Sequence, residues 1–542
     1  MSNFTNYGTP VNFKWKTDVD CFRAAIPISL PPGDGFIYTT INNMATYNST
    51  PHATAWGGWN EDCFSHDVIV CGNEAKKVYI LVGALTCRRS YTFLTARYRD
   101  RRLVEVEVQQ PYIKKGEEPE DVVMLEGNDW RELLCHYADL AASAMNVKPI
   151  AAEKNMTGYC TWYYYYKDVT QAHLLENVEA LAKNRSVFAA EYVQIDDGYQ
   201  TLQGDWLDRH ENWPVPLDVT AEKITDSGMK AGIWIMPFVA STSSKVFQKH
   251  PDWFVKDEHG EILTHTGWTP PPDHLWACLD TTQDEVCEHL VHIFKTFREM
   301  GYRYIKMDGL NYGLFEGVRS DRNATPISAY RKGLQVIRDA VPDCLLMACT
   351  APFMASMGLV DNIRVSNDTS RDYMTGEKTR NHPFFSCSIA AAVRLSLSHF
   401  WKFDRWFRCD PDALMARQDN AFYTRGEAKM SILSGILTGI SITSDNLATI
   451  APDRLALLGK AQDLRMRNAR PVLKQGTFLE WPSVFEGTID GVRAVAVMNE
   501  TSSPVKYFFS ELGLPEECID LLEDKNYTHE IELAPHDAVL LR

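Results

Sequence analysis

A lysine and an aspartate stand two residues apart at the end of the apolar run YRYIKMDGLN, residues 302–311. Side chains at positions i and i+2 of a strand point to the same side, so Lys306 and Asp308 are predicted to project together, above Tyr304 and Tyr302. A neighbouring lysine lowers the pKa of a carboxyl group and keeps it ionised. An ionised, partly desolvated aspartate of this kind is a candidate nucleophile.

Two other interpretations of this pair remain open. Lys306 and Asp308 could form a structural ion pair that closes the strand. Lys306 could instead be the Schiff-base lysine of an aldolase, a role that requires its pKa to be lowered by desolvation or by a nearby cation. A carboxylate two residues away shifts the pKa of a lysine in the opposite direction, which argues against an aldolase.

A second polar run, NIRVSND, places Arg364, Ser366 and Asp368 on one face by the same two-residue period. If Asp308 is the nucleophile, Asp368 is the candidate proton donor, since burial and a neighbouring anion raise the pKa of a carboxyl group. The alternative is an Asx turn within NDTS that only begins the following loop.

Carboxylates end other apolar runs as well. Five candidate strands finish this way, with Asp196 and Asp197, Asp308, Asp368, Asp410 and Asp412, and Asp445. Adjacent acids such as those of IDDG normally face opposite ways, so both reach one ligand only if the chain bends there. Aromatic residues occur near the acids in the sequence. Most aromatic residues belong to protein cores, but a mixture of aromatic rings and carboxylates also suits a binding site for a polyol. The aromatic residues are Trp162, Tyr163 to Tyr166, Trp206, Trp234, Trp268 and Trp276.

The elements that must position these residues alternate between short apolar runs and amphipathic segments. Eight runs are candidate parallel strands, the number that a (β/α)8 TIM barrel requires; they cover 157–166, 190–198, 230–238, 302–309, 344–350, 362–368, 405–412 and 439–445. Segments with helical periodicity separate several of them, at 168–184, 284–301 and 329–341. Active sites of such barrels lie at the C-terminal ends of the strands, where the acids are.

The fold class predicted is therefore α/β, with three domains. Residues 1–150 are predicted to form an N-terminal β-sandwich, 151–465 the barrel, and 466–542 a small antiparallel β-domain, because the flanking segments carry short β-like runs between turn residues. A long Trp- and Pro-rich stretch at 250–280 is predicted to be an ordered insertion over the barrel mouth.

Composition narrows the possible partners. The net charge of −16, from 71 acidic and 55 basic residues, argues against nucleic acid and anionic membranes. No segment has the roughly 18 consecutive apolar residues of a membrane helix, and residues 1–16 do not resemble a secretion signal, so a cytoplasmic location is expected. The 13 scattered cysteines show no metal-binding spacing, and neither a metal nor a cofactor is predicted.

The motifs IDDGY, GIWIMP, LDTTQDEV, YIKMDG, IRVSND and CDPDALMAR, taken in this order, resemble the clan of retaining α-galactosidases and α-N-acetylgalactosaminidases. This clan comprises glycoside hydrolase families 36 and 27, and family 36 is the closer of the two. The resemblance covers about residues 155–450, and the flanking β-rich segments fit the family's three-domain plan.

The resemblance implies roles for individual residues. It makes Asp308 the nucleophile and Asp368 the acid/base, with Asp372 as the weaker alternative for the second role. It also implies a group of substrate-binding residues, formed by Asp196, Asp197, Lys306, Trp234, Arg364, Cys349, Trp162 and Asp412, and it matches Arg417 to the same segment as Asp412.

Two departures from the family pattern affect specificity. Cys349 is followed by TAPFMAS instead of a glycine-rich run containing arginine, which leaves the substituent at position 2 of the sugar open. The acid/base loop reads NDTSRD rather than SDNTD. The sugar could therefore be galactose, N-acetylgalactosamine or another α-linked sugar.

The predicted function is an exo-acting retaining α-glycoside hydrolase, most simply an α-galactosidase, that works by double displacement through a covalent glycosyl-aspartate. The expected partner is an α-linked oligosaccharide or glycoside, and homo-oligomers are common in the family. The alternatives are a raffinose-synthase-like transglycosylase, which passes the glycosyl group to a sugar instead of water, and a non-catalytic carbohydrate-binding protein.

Overall fold

A computed structural model describes most of the chain, namely residues 21–28, 30, 35–43, 48–56, 62–73, 75–99, 102–150, 154–374, 387–472 and 483–542. Residues 1–16, considered above for a secretion signal, lie outside the described residues. So does the stretch 375–383 of the loop that follows Asp368.

Eight parallel strands form a single, nearly closed sheet in the middle of the chain. In sheet order these strands are β19 (Arg408–Asp410), β18 (Asn362–Arg364), β17 (Leu345–Ala348), β16 (Tyr304–Met307), β12 (Lys230–Ile235), β11 (Tyr192–Ile195), β10 (Met156–Cys160) and β20 (Ile440–Thr443). Seven lie within the predicted runs and β10 begins one residue before its run, so the predicted TIM barrel is confirmed. An isolated parallel bridge between Leu414 and Thr443 links the loop after β19 to β20 and brings the two ends of the sheet together.

Helices follow most of these strands, as a barrel requires. They are α2 (Trp162–Tyr165), α3 (Gln171–Lys183), α4 (Leu217–Asp226), α5 (Lys245–Lys249), α6 (Asp284–Glu299), α7 (Pro326–Ala340), α8 (Phe353–Ser356), α9 (Ile389–Ser398), α10 (Arg425–Thr438) and α11 (Pro452–Asp463), after α1 (Trp130–Ala144). Sequence fixes several of their starts: Thr170, Thr325 and Thr424 each form a capping box with the residue three positions later.

Two tyrosines and several smaller apolar side chains fill the barrel interior. Tyr304 packs there with Tyr192, their ring centroids 5.4 Å apart, among the side chains of Met156, Cys160, Met347, Cys349, Ile440 and Ile442. Tyr302 does not join this layer, contrary to the prediction, because it precedes β16. Its ring packs on Phe297 of α6, and its hydroxyl donates to the carbonyl of Leu217.

Two antiparallel sheets precede the barrel. One has the order β1 (Cys21–Pro27), β8 (Arg102–Pro111), β7 (Phe93–Arg99), β4 (Cys63–His66), and the other has the order β3 (Asn48–Trp56), β2 (Gly35–Asn43), β5 (Val68–Asn73), β6 (Val78–Ala84), β9 (Val122–Gly127). Apolar side chains of both sheets, including Ile69 and Val82 from one and Leu94 and Val106 from the other, share one core. This arrangement is a β-sandwich, as predicted.

A further antiparallel sheet follows the barrel. Its order is β21 (Arg467–Pro471), β22 (Val484–Ile489), β23 (Val492–Asn499), β28 (Asp537–Leu541), β25 (Glu517–Asp520), β26 (Lys525–Thr528), and a two-stranded sheet of β24 (Val505–Phe508) and β27 (Glu530–Leu533) packs with it around a common apolar core. A three-stranded sheet belongs to the insertion after the third barrel strand and joins β13 (Val239–Ser241), β15 (Leu275–Cys278) and β14 (Thr264–Thr266).

Candidate active site

Parallel strands of a barrel all end on the same side, so the acids that follow them gather at one mouth. Asp308 follows β16 directly, Asp196 and Asp197 follow β11, and Asp368 comes four residues after the end of β18. Asp410 ends β19 and is followed by Asp412, while Asp445 follows β20. These strand ends supply the carboxylates of the candidate site.

Asp308 is held by donors on both of its carboxylate oxygens. Its Oδ1 accepts hydrogen bonds from Thr350 Oγ1 at 2.6 Å and from the backbone N–H of Gly309 at 2.7 Å. Its Oδ2 accepts from Trp234 Nε1 at 3.2 Å. Oδ1 is therefore turned toward the protein, and Oδ2 has a single indole donor.

The pKa of Asp308 lies below its usual value. Burial by itself would raise this pKa, but the positive charge of Lys306, the hydrogen bonds from Thr350 and Gly309, and the charge of Arg364 together outweigh burial. The carboxyl group is ionised at neutral pH, as the sequence predicted for a nucleophile.

The ammonium group of Lys306 forms an ion pair with Asp196. Its Nζ lies 2.9 Å from Oδ2 of Asp196, and both side chains are buried. Burial would lower the pKa of Lys306, yet the carboxylate of Asp196 raises it above its usual value. A Schiff-base lysine needs the opposite shift, so the electrostatics argue against an aldolase.

Asp197 turns away from Asp196 and is anchored separately. Its Oδ1 accepts a hydrogen bond from Gln200 Nε2 at 2.6 Å, and its Oδ2 lies 3.4 Å from Nζ of Lys167. Burial raises its pKa, opposed by Lys167 and Gln200. The chain bends after β11, with Gly198 at a φ of +119°, and this bend brings both neighbouring acids to the mouth.

Arg364 contacts Asp368, the second predicted catalytic residue. One of its terminal nitrogens, Nη2, lies 2.8 Å from Oδ1 of Asp368 and 3.6 Å from Sγ of Cys349, and the other, Nη1, contacts Oδ2 of Asp412. Cys349 in turn adjoins Thr350, the residue that holds Asp308. A continuous chain of contacts therefore connects the two predicted catalytic carboxyl groups.

Asp368 differs from Asp308 in its ionisation. Burial raises the pKa of Asp368 to about 6; Arg364 opposes this shift, while the negative charges of Asp412 and Asp308 add to it. Its side chain remains 37% exposed at the cleft. Of the two connected carboxyl groups, Asp308 therefore stays ionised into the acidic range, whereas Asp368 keeps its proton up to a pH of about 6, a separation of pKa values that acid–base catalysis uses.

Asp412 is fixed from several directions. Its Oδ2 accepts hydrogen bonds from the backbone N–H of Thr369, at 2.7 Å, and from the hydroxyl of Tyr163, in addition to its contact with Arg364. The nearby Asp410 has a pKa raised to about 6, primarily by burial. Asp412 therefore anchors Arg364 and the start of the loop that carries Asp368.

The predicted aromatic residues contribute in different ways. Trp234 is buried, with its ring edge-on to Trp206 at 5.8 Å, so it supports Asp308 from below instead of offering an open face. Trp162 is half-buried and meets Tyr166 edge-on at 5.3 Å. Trp268 is exposed at the insertion and meets Trp276 edge-on at 4.5 Å.

The sequence did not point to three residues of the site, Thr350, Lys167 and Gln200, and it singled out Tyr163 only as an aromatic residue, not as a hydrogen-bond donor to Asp412. Thr350 lies at a φ of +53°, a conformation that costs a β-branched residue about 1–3 kcal/mol. Its place directly after Cys349 was the only available signal, because backbone strain cannot be read from a sequence. Lys167 ends the aromatic run that the sequence did single out.

Neither a metal-binding cluster nor a membrane-spanning helix occurs among the described residues. No group of three or more His, Cys, Asp or Glu side chains there is arranged to hold a metal ion. None of the helices in that part of the chain has the length and apolar character needed to cross a membrane.

Part of the chain is similar in sequence to known proteins. Residues 133–339 match the Melibiase family. Over 206 residues, 35% of this chain, the sequence is 23% identical to α-galactosidase AgaA of Geobacillus stearothermophilus, and the match covers 26% of that protein. The α-galactosidase of Escherichia coli is 23% identical over 204 residues and is matched over 27% of its length. The chain thus spans about a quarter of the length of these curated relatives.

Solved structures extend the similarity to the fold. The α-galactosidase TtGalA of Thermus thermophilus, in complex with p-nitrophenyl α-D-galactopyranoside, superposes with a TM-score of 0.66 at 21% identity, over 88% of this chain and 95% of that one. The family 36 α-galactosidase AgaA of Geobacillus stearothermophilus gives 0.63 at 11% identity, over 96% and 76%. These identities show a shared fold. Residues 133–339 are thus similar in sequence to the Melibiase family, and the chain shares its fold with solved α-galactosidases.

Proposed function

We propose that the protein is a retaining α-galactosidase in which Asp308 is the nucleophile and Asp368 the acid/base. The observation that carries this proposal is the opposite shift of two connected carboxyl groups: the pKa of Asp308 is lowered, and that of Asp368 is raised to about 6. Both act on one α-glycosidic bond between them. The similarity to α-galactosidases supports galactose as the sugar.

The reaction has two steps. Asp308 Oδ2 attacks the anomeric carbon while Asp368 gives its proton to the departing oxygen, which leaves a covalent glycosyl-aspartate. Asp368, now ionised, takes a proton from water, and this water releases the sugar with its configuration retained. Trp234 and Thr350 keep Asp308 in position, because both donate hydrogen bonds to its carboxylate.

The other residues of the site bind and orient the sugar. Asp196 and Asp197 accept hydrogen bonds from sugar hydroxyls, and Lys306, which lies 2.9 Å from Asp196 Oδ2, donates to the sugar oxygens. Arg364, held by Asp412, keeps Asp368 oriented. Cys349 and the half-buried Trp162 line the pocket in this proposal.

We assign the protein to glycoside hydrolase family 36, on the sequence motifs given above. Its substrate is an α-linked oligosaccharide or glycoside, it has no nucleic acid or membrane partner, it forms a homo-oligomer, and it acts in the cytoplasm. Three domains, with boundaries at about residues 150 and 465, complete the proposal.

A panel of 4-nitrophenyl α-glycosides tests this function. Release of nitrophenol from the galactoside, with α-galactose as the first product seen by NMR, is the expected result. Preference for the N-acetylgalactosaminide would identify an α-N-acetylgalactosaminidase. A transfer product formed with an added acceptor sugar would identify a transglycosylase. Binding of galactosides without turnover would leave a carbohydrate-binding protein and refute the proposal.

A further inference from the structure

Large aromatic side chains are exposed on the catalytic side of the barrel. Among the described residues of the barrel region, they are Tyr166, 39% exposed; Trp268, 43% exposed; and Phe422, 65% exposed. Such rings are usually buried, so their presence around one cleft calls for a ligand that covers them. The three residues come from three different loops.

Tyr166 is held in a conformation that tyrosine rarely adopts. It follows α2 with φ +48° and ψ −139°, a region in which glycine is normally found. Neighbouring rings hold it there, with Trp162 at 5.3 Å and Tyr163 at 6.4 Å between centroids, both edge-on. A protein that keeps a strained tyrosine with an exposed ring is using that ring.

The position of Tyr166 relative to Asp308 and Asp368 indicates which part of a substrate its ring would contact. Its ring meets that of Tyr163 edge-on, and the Tyr163 hydroxyl donates a hydrogen bond to Asp412 Oδ2. The same oxygen accepts the backbone N–H of Thr369, the residue after Asp368. Tyr166 therefore lies on the Asp368 side of the site. In a double displacement the leaving oxygen departs next to the acid, on the face of the sugar opposite the nucleophile.

Trp268 belongs to the other side of the cleft. It packs on Trp276, which lies 5.7 Å from Tyr312 between ring centroids. The backbone N–H of Tyr312 donates to the carbonyl of Gly309 at 3.0 Å, and Gly309 is the residue whose own N–H donates to Asp308. Trp268 is thus connected to the nucleophile, and the geometry favours Tyr166 as the contact for the leaving group.

A second exposed ring lies near the acid/base. The backbone N–H of Phe422 donates to the carbonyl of Arg371 at 2.7 Å, and the Arg371 guanidinium lies 5.1 Å from the Phe422 ring centroid. Arg371 Nη1 donates to Asn420 Oδ1 at 3.0 Å, which fixes the guanidinium. Arg417 links this pair to Tyr166: its Nε donates to the Asn420 carbonyl at 3.2 Å and its Nη2 to the carbonyl of Tyr163 at 3.1 Å, and the Tyr163 ring meets Tyr166.

We propose that Tyr166 and the Arg371–Phe422 pair form the binding site for the leaving group. The ligand is a ring with an apolar face, either a second sugar or an aryl group, that lies against the aromatic rings while the guanidinium donates hydrogen bonds to its substituents. This proposal rests on the function proposed above, since it uses Asp368 as the acid.

Kinetics with leaving groups of different kinds test the site. α-Galactosyl fluoride has no ring to bind, whereas 4-nitrophenyl α-galactoside carries an aryl ring and raffinose carries a sugar ring. For Tyr166→Gly, which suits the backbone conformation, the ratio of kcat/KM for each ring substrate to that for the fluoride should fall about tenfold, equal to ~1.4 kcal/mol. Phe422→Ala should reduce the same ratios in the same direction, and Tyr166→Phe should preserve them.

Phe508→Ala is the matched control, because Phe508 is exposed to a similar extent but lies on β24, in the sheet after the barrel. A loss for raffinose alone identifies a sugar site, and a loss for the nitrophenyl substrate alone identifies an aryl site; either supports the proposal. Equal losses for fluoride and ring substrates in Tyr166→Gly, or a selective loss in Trp268→Ala instead, overturn it. Absence of turnover of all three substrates by the unaltered protein refutes the proposed function itself.

Discussion

Two strand ends of the same barrel are followed by an aspartate, yet the two aspartates differ in the hydrogen bonds that the protein donates to them. Asp445 after β20 accepts backbone hydrogen bonds from Ala416 and Arg417 at 2.8 and 2.9 Å on Oδ2, and its Oδ1 faces the Arg417 guanidinium at 3.3 Å. Both side chains of this ion pair are 0% exposed. Asp308 after β16 has a single indole donor on Oδ2 and borders the cleft.

The difference shows that a carboxylate at a strand end is not by itself a sign of catalysis. Asp445 is closed off on both oxygens and ties the loop after β19 to β20, which makes it a structural residue. Asp308 keeps one oxygen available for a substrate. The number of protein donors on each oxygen separates the two cases, and that number depends on tertiary contacts.

Removing the Asp308 carboxylate should have the largest effect. In Asp308→Asn, kcat for 4-nitrophenyl α-galactoside should fall by roughly 10⁴–10⁶-fold, because no covalent intermediate can form. Circular dichroism and thermal unfolding should remain close to those of the unaltered protein. A variant that kept most of its activity would show that Asp308 is not the nucleophile. Asp308 and Asp445 would then not differ in function.

The second carboxyl group should affect both steps of the reaction. In Asp368→Ala, kcat/KM for substrates with poor leaving groups should fall by about 10²–10⁴-fold, and the loss should be smaller for α-galactosyl fluoride, whose departure needs no proton. Azide should accelerate turnover and yield an α-galactosyl azide, since it replaces the water that Asp368 no longer activates. Asp372→Ala serves as the control, and azide rescue of that variant instead would transfer the role to Asp372.

Replacing Asp445 should reduce the stability of the protein and not its activity. Asp445→Asn leaves the buried Arg417 without its counter-charge, which should lower the free energy of unfolding by about 3–5 kcal/mol. Urea unfolding measures this loss, and kcat per folded molecule should change little, because Asp445 faces no cleft. Nearly unchanged stability accompanied by a large fall in kcat would show that Asp445 belongs to the active site.

How far the sequence alone could go is clear from these same residues. Apolar runs and their terminal acids were sufficient to predict eight strands, the barrel and the gathering of Asp308 and Asp368 at its mouth, since these follow from periodicity. The partner of Lys306 was not predictable, because Asp196 lies on another strand. The structural character of Asp445 also depended on Arg417, 28 residues away in the chain.

The pH profile should report the two carboxyl groups of the catalytic pair. Asp308 must be ionised and its pKa is lowered, so the acid limb of kcat/KM should lie below pH 3.8, the ordinary value for this group. Asp368 must be protonated in the first step, so activity should fall as the pH rises through about 6. An alkaline limb that persists in Asp368→Ala would have to be assigned to another group.

Replacing Thr350 should cause the smallest of these losses. It tests the difference between Asp308 and Asp445 directly, because Thr350 supplies one of the hydrogen bonds to Oδ1 of Asp308. Thr350→Val keeps the side-chain shape and removes the hydroxyl that donates to Oδ1 at 2.6 Å. Hydrogen bonds to charged groups contribute about 1.5–3 kcal/mol, so kcat/KM should fall by roughly one to two orders of magnitude. The pKa of Asp308 should rise with the loss of this donor, moving the acid limb to higher pH, whereas Thr350→Ser should retain the original limb. If both variants shifted the limb equally, the hydroxyl would not be the cause, and the strained backbone of Thr350 would have to position Asp308 instead.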